Sequence, residues 1–174
     1  RLYFVFGTVL FLVFINLIVT LINVYNSKNS IVGMNDAARR VDFLIEADRD
    51  AYQSNIAIAL ALHPGNFSDK EKLDKLIIEI EDNKNQVKSR YLKFLDISKV
   101  GGDDKFAALN DRFLRNYNRI SLISDSIVYY LKAGNDSSAV DLYQTKYENS
   151  FIPMRETLNE FSELYLNQSQ KSFD

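Results

Sequence analysis

An uncharged, apolar run at the start of the chain constrains the fold more than any other feature. No charged residue occurs between Leu2 and Ser27, and residues 2–24 are nearly all apolar. A helix rises 1.5 Å per residue, so about 23 residues span roughly 34 Å, enough for a tilted bilayer crossing. A cleaved signal peptide has a shorter apolar core that ends at a small-residue cleavage site. Because this run is longer and has no such site, it predicts a transmembrane helix in residues 1–27.

The flanking charge predicts an orientation for this helix. Arg1 lies on its N-terminal side, and lysine and arginine are enriched on the cytoplasmic side of membrane helices. We therefore expect a cytoplasmic N-terminus, with residues after about 28 outside; in a Gram-negative bacterium this means a helix in the inner membrane and a domain in the periplasm.

The composition excludes several functional classes. The chain has no cysteine, and its one histidine is His63, so thiolate nucleophiles and multi-histidine metal centres are excluded. A formal net charge of −2 leaves no basic surplus for a nucleic-acid partner. No nucleophile–base pair, metal set or phosphate loop is found. We expect a protein that is not an enzyme, needs no cofactor or metal and does not bind nucleic acid.

Residues 28–174 are divided by glycine-containing breaks at Gly65, Gly101-Gly102 and Gly134. Between the breaks, apolar positions step by three and four, which is the helical period. The predicted helices cover roughly residues 29–63, 68–98, 103–133 and 136–171. Short connections place successive helices antiparallel. The sequence thus predicts an all-α, up-down-up-down four-helix bundle, the extracytoplasmic domain of the chain, with helix one continuous with the transmembrane helix.

The same stepping predicts which positions face the core. Helix two has Leu73, Leu76, Ile77, Ile80, Val87, Tyr91 and Phe94; helix three has Phe106, Leu109, Phe113, Tyr117, Ile120, Ile127 and Leu131; helix four has Val140, Tyr143, Tyr147, Phe151, Met154, Leu158, Phe161 and Tyr165. In helix one the predicted seam is Ala38, Val41, Ile45, Asp48, Tyr52, Asn55, Ala59 and Leu62. This phasing interrupts the seam with Asp48 and Asn55, and it leaves Glu46, Arg49 and Asp50 on or near the surface.

Counting residues from the top of the bundle brings polar positions of different helices to one level. Asp48 is matched with Asn83, with Tyr117 beside Asn116, and with Pro153. Proline has no amide hydrogen, so it releases the carbonyl of Asn149 and is expected to kink helix four. A carboxylate and a released carbonyl suit an ammonium group, while Arg155 or Arg49 suits a carboxylate. The candidate ligand-binding residues are Asp48, Arg49, Tyr52, Asn55, Asn116, Tyr117, Asn149, Phe151, Pro153 and Arg155.

Three interpretations of the polar residues in helix one stay open. Glu46, Arg49 and Asp50 can form a solvated, salt-bridged face. Asp48 and Asn55 can form a buried polar layer that fixes the register of the bundle or of a dimer. Alternatively, this level of the bundle binds a ligand directly.

A membrane helix that leads directly into a four-helix bundle resembles the sensing module of methyl-accepting chemotaxis proteins. The segment Glu46-Ala-Asp-Arg-Asp-Ala-Tyr-Gln53 is similar to helix one of such receptors, and Phe151-Ile-Pro-Met154 resembles the proline-containing kink of the aspartate/serine type. In the aspartate type, arginines near the top of helix one hold the ligand carboxylates. Residues 51–66 contain no arginine, so aspartate itself is not expected.

The resemblance implies a homodimer that forms through helix one and a receptor that binds a small molecule such as an amino acid, an amine or an organic acid. Helix four must return to the membrane, so we expect a second crossing after Asp174 and a cytoplasmic part that acts on a chemotaxis kinase. The alternatives are the sensor domain of a histidine kinase or cyclase, or a ligand-free bundle that anchors, dimerises or binds another protein.

Overall fold

The longest helix, α1, runs without a break from Leu2 to Ala61. The computed structural model describes residues 2–98 and 104–171. After α1 come a single 3₁₀ turn, the helices α2 and α3, and a fourth helix of the bundle made of α4, a π-helical turn and α5. Their bounds are Pro64–Asn66 for the 3₁₀ turn, Lys70–Ser98 for α2, Asp104–Lys132 for α3, Asp136–Leu142 for α4, Tyr143–Tyr147 for the π turn and Glu148–Lys171 for α5.

The two parts of α1 have different surroundings. Its 60 residues correspond to about 90 Å. From residue 10 to residue 36 nearly every side chain is exposed, and the first buried one is Leu44. Within the described residues, α1 is the one helix long and apolar enough to cross a membrane.

The bundle brings α1 against α2 and α5, and α3 against the fourth helix. The described residues contain no strand. The turns are tight: Asn66 Nδ2 donates to the carbonyl of Leu60 at 2.7 Å, and Gly134 takes the left-handed conformation with φ 68°, which glycine adopts without steric cost. The predicted antiparallel four-helix bundle, with helix one continuous with the N-terminal helix, is confirmed.

The predicted stripes form most of the core of α2, α3 and the fourth helix. Ile123, Val128 and Ala139 are added to them, whereas Val140 and Tyr143 are only half-buried. Every predicted position of α2 and α3 is buried, and so are those of the fourth helix from Tyr147 onward. Aromatic rings fill the half nearer the N-terminal extension: Tyr91 stacks on Phe113 at 3.8 Å between centroids, and Phe94 meets Phe161 and Tyr165 edge-on. Such pairs add to the free energy gained from burying their area.

The predicted seam of α1 is wrong. Apart from Leu62, its members are exposed or half-buried, and Ile45 and Tyr52 are 59% and 49% exposed. The buried face is rotated by about a third of a turn from the predicted seam. It consists largely of small residues: Leu44, Ala47, Asp50, Ala51, Ser54, Ala57, Ile58, Ala61 and Leu62. Alanines let α2 and α5 pack closely against α1. Leu44 and Ile58 are buried with the alanines, whereas Ile45, Tyr52 and Ile56 face outward.

The fourth helix also differs from the single α-helix expected over residues 136–171. Tyr143–Tyr147 forms a π turn. Further along, α5 continues through Pro153 without a break. Ala139 and Tyr147, eight positions apart, are both buried. Two α turns span about 7.2 residues, and a π turn takes up about one residue more. The π turn thus keeps both residues on the core side.

Candidate ligand site between the first and fourth helices

Asp48 of α1 and Arg155 of α5 form a two-pronged ion pair. Arg155 Nε donates to Asp48 Oδ1 at 2.5 Å, and Arg155 Nη2 donates to Asp48 Oδ2 at 2.6 Å. This fork geometry is the strongest form of an arginine–carboxylate contact. The hydrogen bond that Arg155 donates to Asp48 raises the pKa of Arg155 above its ordinary value, against the opposing effect of burial. The side chains are 33% and 23% exposed, so solvent reaches the pair.

Two aromatic rings support the guanidinium. Arg155 Cζ lies 5.3 Å from the ring centroid of Tyr52 and 5.6 Å from that of Phe151. At these distances the negative faces of the rings attract the cation. Phe151 is buried, whereas Tyr52 is half-exposed. The site therefore has a fixed inner wall and an outer wall that borders solvent. We call Asp48, Tyr52, Phe151 and Arg155 the charge clamp.

The backbone around Pro153 lies next to the charge clamp. Asn116 Nδ2 of α3 donates to the Pro153 carbonyl at 3.3 Å, and Thr157 Oγ1 donates to the same oxygen at 2.9 Å. Pro153 has no N–H to give the Asn149 carbonyl. The Asn149 side chain is exposed and donates to the Thr145 carbonyl, so it does not contact the charge clamp.

Three other predicted candidates have partners away from the charge clamp. Arg49 is half-exposed and its Nη2 lies 3.4 Å from Asp50 Oδ1. Asn55 Oδ1 accepts a hydrogen bond from the Tyr143 hydroxyl at 3.1 Å. The Tyr117 hydroxyl donates to the Lys84 carbonyl at 3.0 Å, and burial raises its pKa. The predicted set therefore divides into the charge clamp, the Pro153 region and these separate contacts.

The sequence interpretation missed a second charged cluster, on the α2 side of α1. Asp50 is only 1% exposed, and its Oδ2 lies 3.6 Å from Arg90 Nε. Arg90 Nη1 also pairs with Glu46 Oε2 at 2.8 Å. Asp50 was expected near the surface, and it is buried because it lies on the true core face of α1. Since its partner Arg90 lies on another helix, no local spacing in the sequence indicates the pairing.

Comparison with known proteins identifies the kind of module that carries this geometry. The family described as "Four helix bundle sensory module for signal transduction" matches residues 1–174. The chain belongs to this family. The resemblance drawn from the sequence is thereby confirmed, and no curated protein matches the chain.

In this sensory module, the charge clamp connects α1, which also contains the N-terminal apolar segment, with α5 of the fourth helix. No group of three His, Asp or Glu side chains within residues 2–98 and 104–171 is placed to hold a metal ion. The charge clamp itself offers one carboxylate, one guanidinium and two aromatic ring faces. Their chemistry suits the binding of a small charged molecule through hydrogen bonds and cation–π contacts.

Proposed function

We propose that this module is the extracytoplasmic sensing domain of a bacterial transmembrane chemoreceptor and that it binds a small amino acid, amine or organic acid at the charge clamp. The observation that supports this most directly is the Asp48–Arg155 pair, because it is partly exposed, held between rings and made by two different helices. The module senses and transmits, and we infer no catalysis.

The ion pair holds the charges that a zwitterion would need. When the pair opens, Asp48 accepts hydrogen bonds from the ligand ammonium and Arg155 donates two to the ligand carboxylate. An amine engages Asp48 alone, and an organic acid engages Arg155 alone. Tyr52 then covers the bound molecule on the solvent side. A zwitterion restores both charge pairs, so we expect it to bind more tightly than either half.

Signalling follows from the two helices that the clamp joins. α1 and α5 pack against each other, and a ligand inserted between Asp48 and Arg155 favours a different spacing of these helices. A ligand shifts an equilibrium only by its preference for one arrangement. The displacement of α5 is carried toward a second membrane crossing expected after Asp174 and from there to a cytoplasmic kinase.

We further propose that the module forms a homodimer through an outward-facing row of α1, which we call the outer stripe. The outer stripe consists of Met34, Ala38, Ile45, Tyr52, Ile56 and Ala59, all of them exposed. With 3.6 residues per turn, the same face continues into the apolar segment as Asn16, Thr20, Asn23 and Ser27, also exposed. Polar and small residues favour helix–helix contact in lipid. Tyr52 belongs to both the outer stripe and the charge clamp, so a partner chain would lie beside the ligand.

The apolar part of α1 supports placement in the inner membrane of a bacterium, with the bundle in the periplasm. The same architecture also suits the sensor of a histidine kinase or a cyclase. The outer stripe by itself favours the second candidate, a ligand-free bundle that dimerises or binds a protein.

Titration calorimetry tests the ligand proposal. The full chain in lipid nanodiscs is titrated with amino acids, simple amines and organic acids. We expect at least one of these classes to bind, and Arg155→Ala and Asp48→Ala to weaken binding more than tenfold, since each removes a charge-assisted contact worth about 1.5–3 kcal/mol.

Arg112→Ala is the matched control. Arg112 Nη2 pairs with Glu160 Oε2 at 2.5 Å, also between a neighbouring helix and α5, but away from the charge clamp. This variant should bind as tightly as the unmodified chain. Failure of every compound class to bind contradicts ligand sensing and favours the ligand-free bundle.

A further inference from the structure

The middle of the bundle contains a small cavity that the ligand proposal does not use. Its volume is about 20 Å³. Its lining comes from all four helices of the bundle, including Ser54 of α1, Lys84 of α2, Ser124 of α3 and Tyr147 at the end of the π turn. Apolar groups such as Val87 complete the lining. A cavity of roughly 10–15 Å³ already holds one water molecule, so this one is large enough for a water and too small for an amino acid.

Ser124 has a buried hydroxyl with no hydrogen-bond partner in the described residues. The side chain is 2% exposed, and its Oγ lacks a partner. Other serines in these helices donate to the carbonyl four residues back, as Ser98 does to Phe94 at 2.6 Å and Ser150 to Lys146 at 2.9 Å. A buried hydroxyl without a partner costs about 1–3 kcal/mol. Because Ser124 lines the cavity, a molecule inside it can supply the missing bond.

Two further residues that carry hydroxyl groups, Ser54 and Tyr147, line the same cavity. Ser54 Oγ donates to the Ile80 carbonyl at 3.2 Å, which leaves its lone pairs free to accept. Burial raises the pKa of the Tyr147 hydroxyl, so this hydroxyl stays protonated at neutral pH. Together with Ser124, these groups provide the two to four polar partners that an ordered internal water requires.

We propose that this cavity is an internal hydration site, in which one water molecule hydrogen-bonds to Ser124 Oγ and to the hydroxyls of Ser54 and Tyr147. The water connects α1, α3 and the fourth helix at the π turn. Ions are disfavoured, because the lining is mostly apolar and Lys84 already pairs with Asp125. Phe151 lines the cavity and also lies under the guanidinium of Arg155. The hydration site does not depend on ligand binding at the charge clamp.

Oxygen-17 relaxation dispersion of water, measured on the full chain in nanodiscs, counts long-lived internal waters. We expect the unmodified chain to hold about one more such water than Ser124→Val, because the added methyl groups fill a space of about one water. Ser126→Ala is the control. Ser126 is an exposed serine of the same helix that donates to the Leu122 carbonyl, and its replacement should leave the count unchanged. An equal count in the unmodified chain and Ser124→Val overturns the proposal.

Urea unfolding of Ser124→Ala gives a second readout that does not depend on whether Ser124→Val folds. Comparison with Ser126→Ala cancels the higher helix propensity of alanine. If the cavity holds a water, Ser124→Ala removes the serine hydroxyl to which that water is hydrogen-bonded. The urea concentration at the unfolding midpoint should then be lower for Ser124→Ala than for Ser126→Ala. A higher midpoint means that an unsatisfied hydroxyl was removed from a dry cavity, and it overturns the proposal.

Discussion

At the scale of single residues, two charged clusters on opposite sides of α1 differ in burial. Asp48 and Arg155 are partly exposed, and exposed ion pairs contribute about 0–1 kcal/mol to stability. Asp50 is 1% exposed, while its partner Arg90 is 27% exposed. A buried charge that loses its partner is far more costly than an exposed one. Opening the first cluster therefore costs little, as the proposed ligand binding requires, whereas the second cluster stabilises the packing of α1 against α2.

Arg90→Ala should destabilise the bundle much more than Arg155→Ala. Removing Arg90 leaves the Asp50 carboxylate buried with only the half-exposed Arg49 nearby. The expected loss is about 3 kcal/mol, against about 1 kcal/mol or less for Arg155→Ala. Urea unfolding followed by circular dichroism measures both.

The double variant Arg90→Ala/Asp50→Ala provides the control, because it removes the unpaired charge as well as its partner. It should be more stable than Arg90→Ala alone, which is the non-additivity expected of residues in contact. Additive losses would show that Arg90 stabilises the bundle by packing rather than through Asp50.

At the scale of elements, the π turn allows one additional residue in the fourth helix. Upstream of it, Ala139 packs into the core. Downstream, Tyr147, Phe151 and Met154 do the same. Without the π turn, residues on one side of it would rotate away from α1 and α3. The turn also places Tyr143 where its hydroxyl reaches Asn55 of α1.

Deletion of Gln144 should therefore be tolerated. Gln144 is an exposed residue inside the π turn, and its loss converts the turn to a regular α turn while both core faces keep their positions. Deletion of Asn159 in α5, which is also exposed, instead rotates Phe161 and Tyr165 by about 100°. Differential scanning calorimetry should show a small change in Tm for the first deletion and a large decrease for the second. Equal decreases would mean that the π turn does more than accommodate one residue.

At the scale of the whole molecule, α1 is apolar on two faces, one used by the bundle and one left open. Ile45, Tyr52 and Ile56 are 59%, 49% and 43% exposed and lie along one line with the polar residues of the apolar segment. An exposed row of large apolar side chains is typical of an interaction surface. A second copy of the chain, placed along the same line as proposed above, would cover this row.

Ile45→Glu combined with Ile56→Glu should weaken self-association more than tenfold. Burying each isoleucine side chain in the dimer interface would contribute about 1.5–3 kcal/mol, and the variant loses both contributions. Analytical ultracentrifugation of the detergent-solubilised chain should detect a dimer for the unmodified protein and a monomer for this variant at equal concentration. Leu122→Glu is the control, since Leu122 is 69% exposed on α3 and lies off the outer stripe. A variant that dimerises like the unmodified chain would exclude the outer stripe as the interface.

The sequence by itself determined the apolar N-terminal helix, the bundle and the core positions of α2 and α3. These depend on length and on a period that repeats along each helix, and both are local properties of the chain. Counting residues from the turns placed Asp48 at the level of Pro153, since antiparallel helices with equal rise bring equal counts to one level. It did not predict that Asp48 pairs with Arg155.

The tertiary structure alone decided which face of α1 is buried, which partner Asp50 takes and where the fourth helix forms a π turn. α1 has an apolar row on each side, so its periodicity is compatible with burying either of two faces. Small residues such as Ala47 and Ala51 face the core because close approach of α2 and α5 requires them, and that approach exists only in the folded bundle. For the same reason the charge that the sequence placed at the surface, Asp50, lies buried against Arg90, and the large residues Ile45 and Tyr52 face outward.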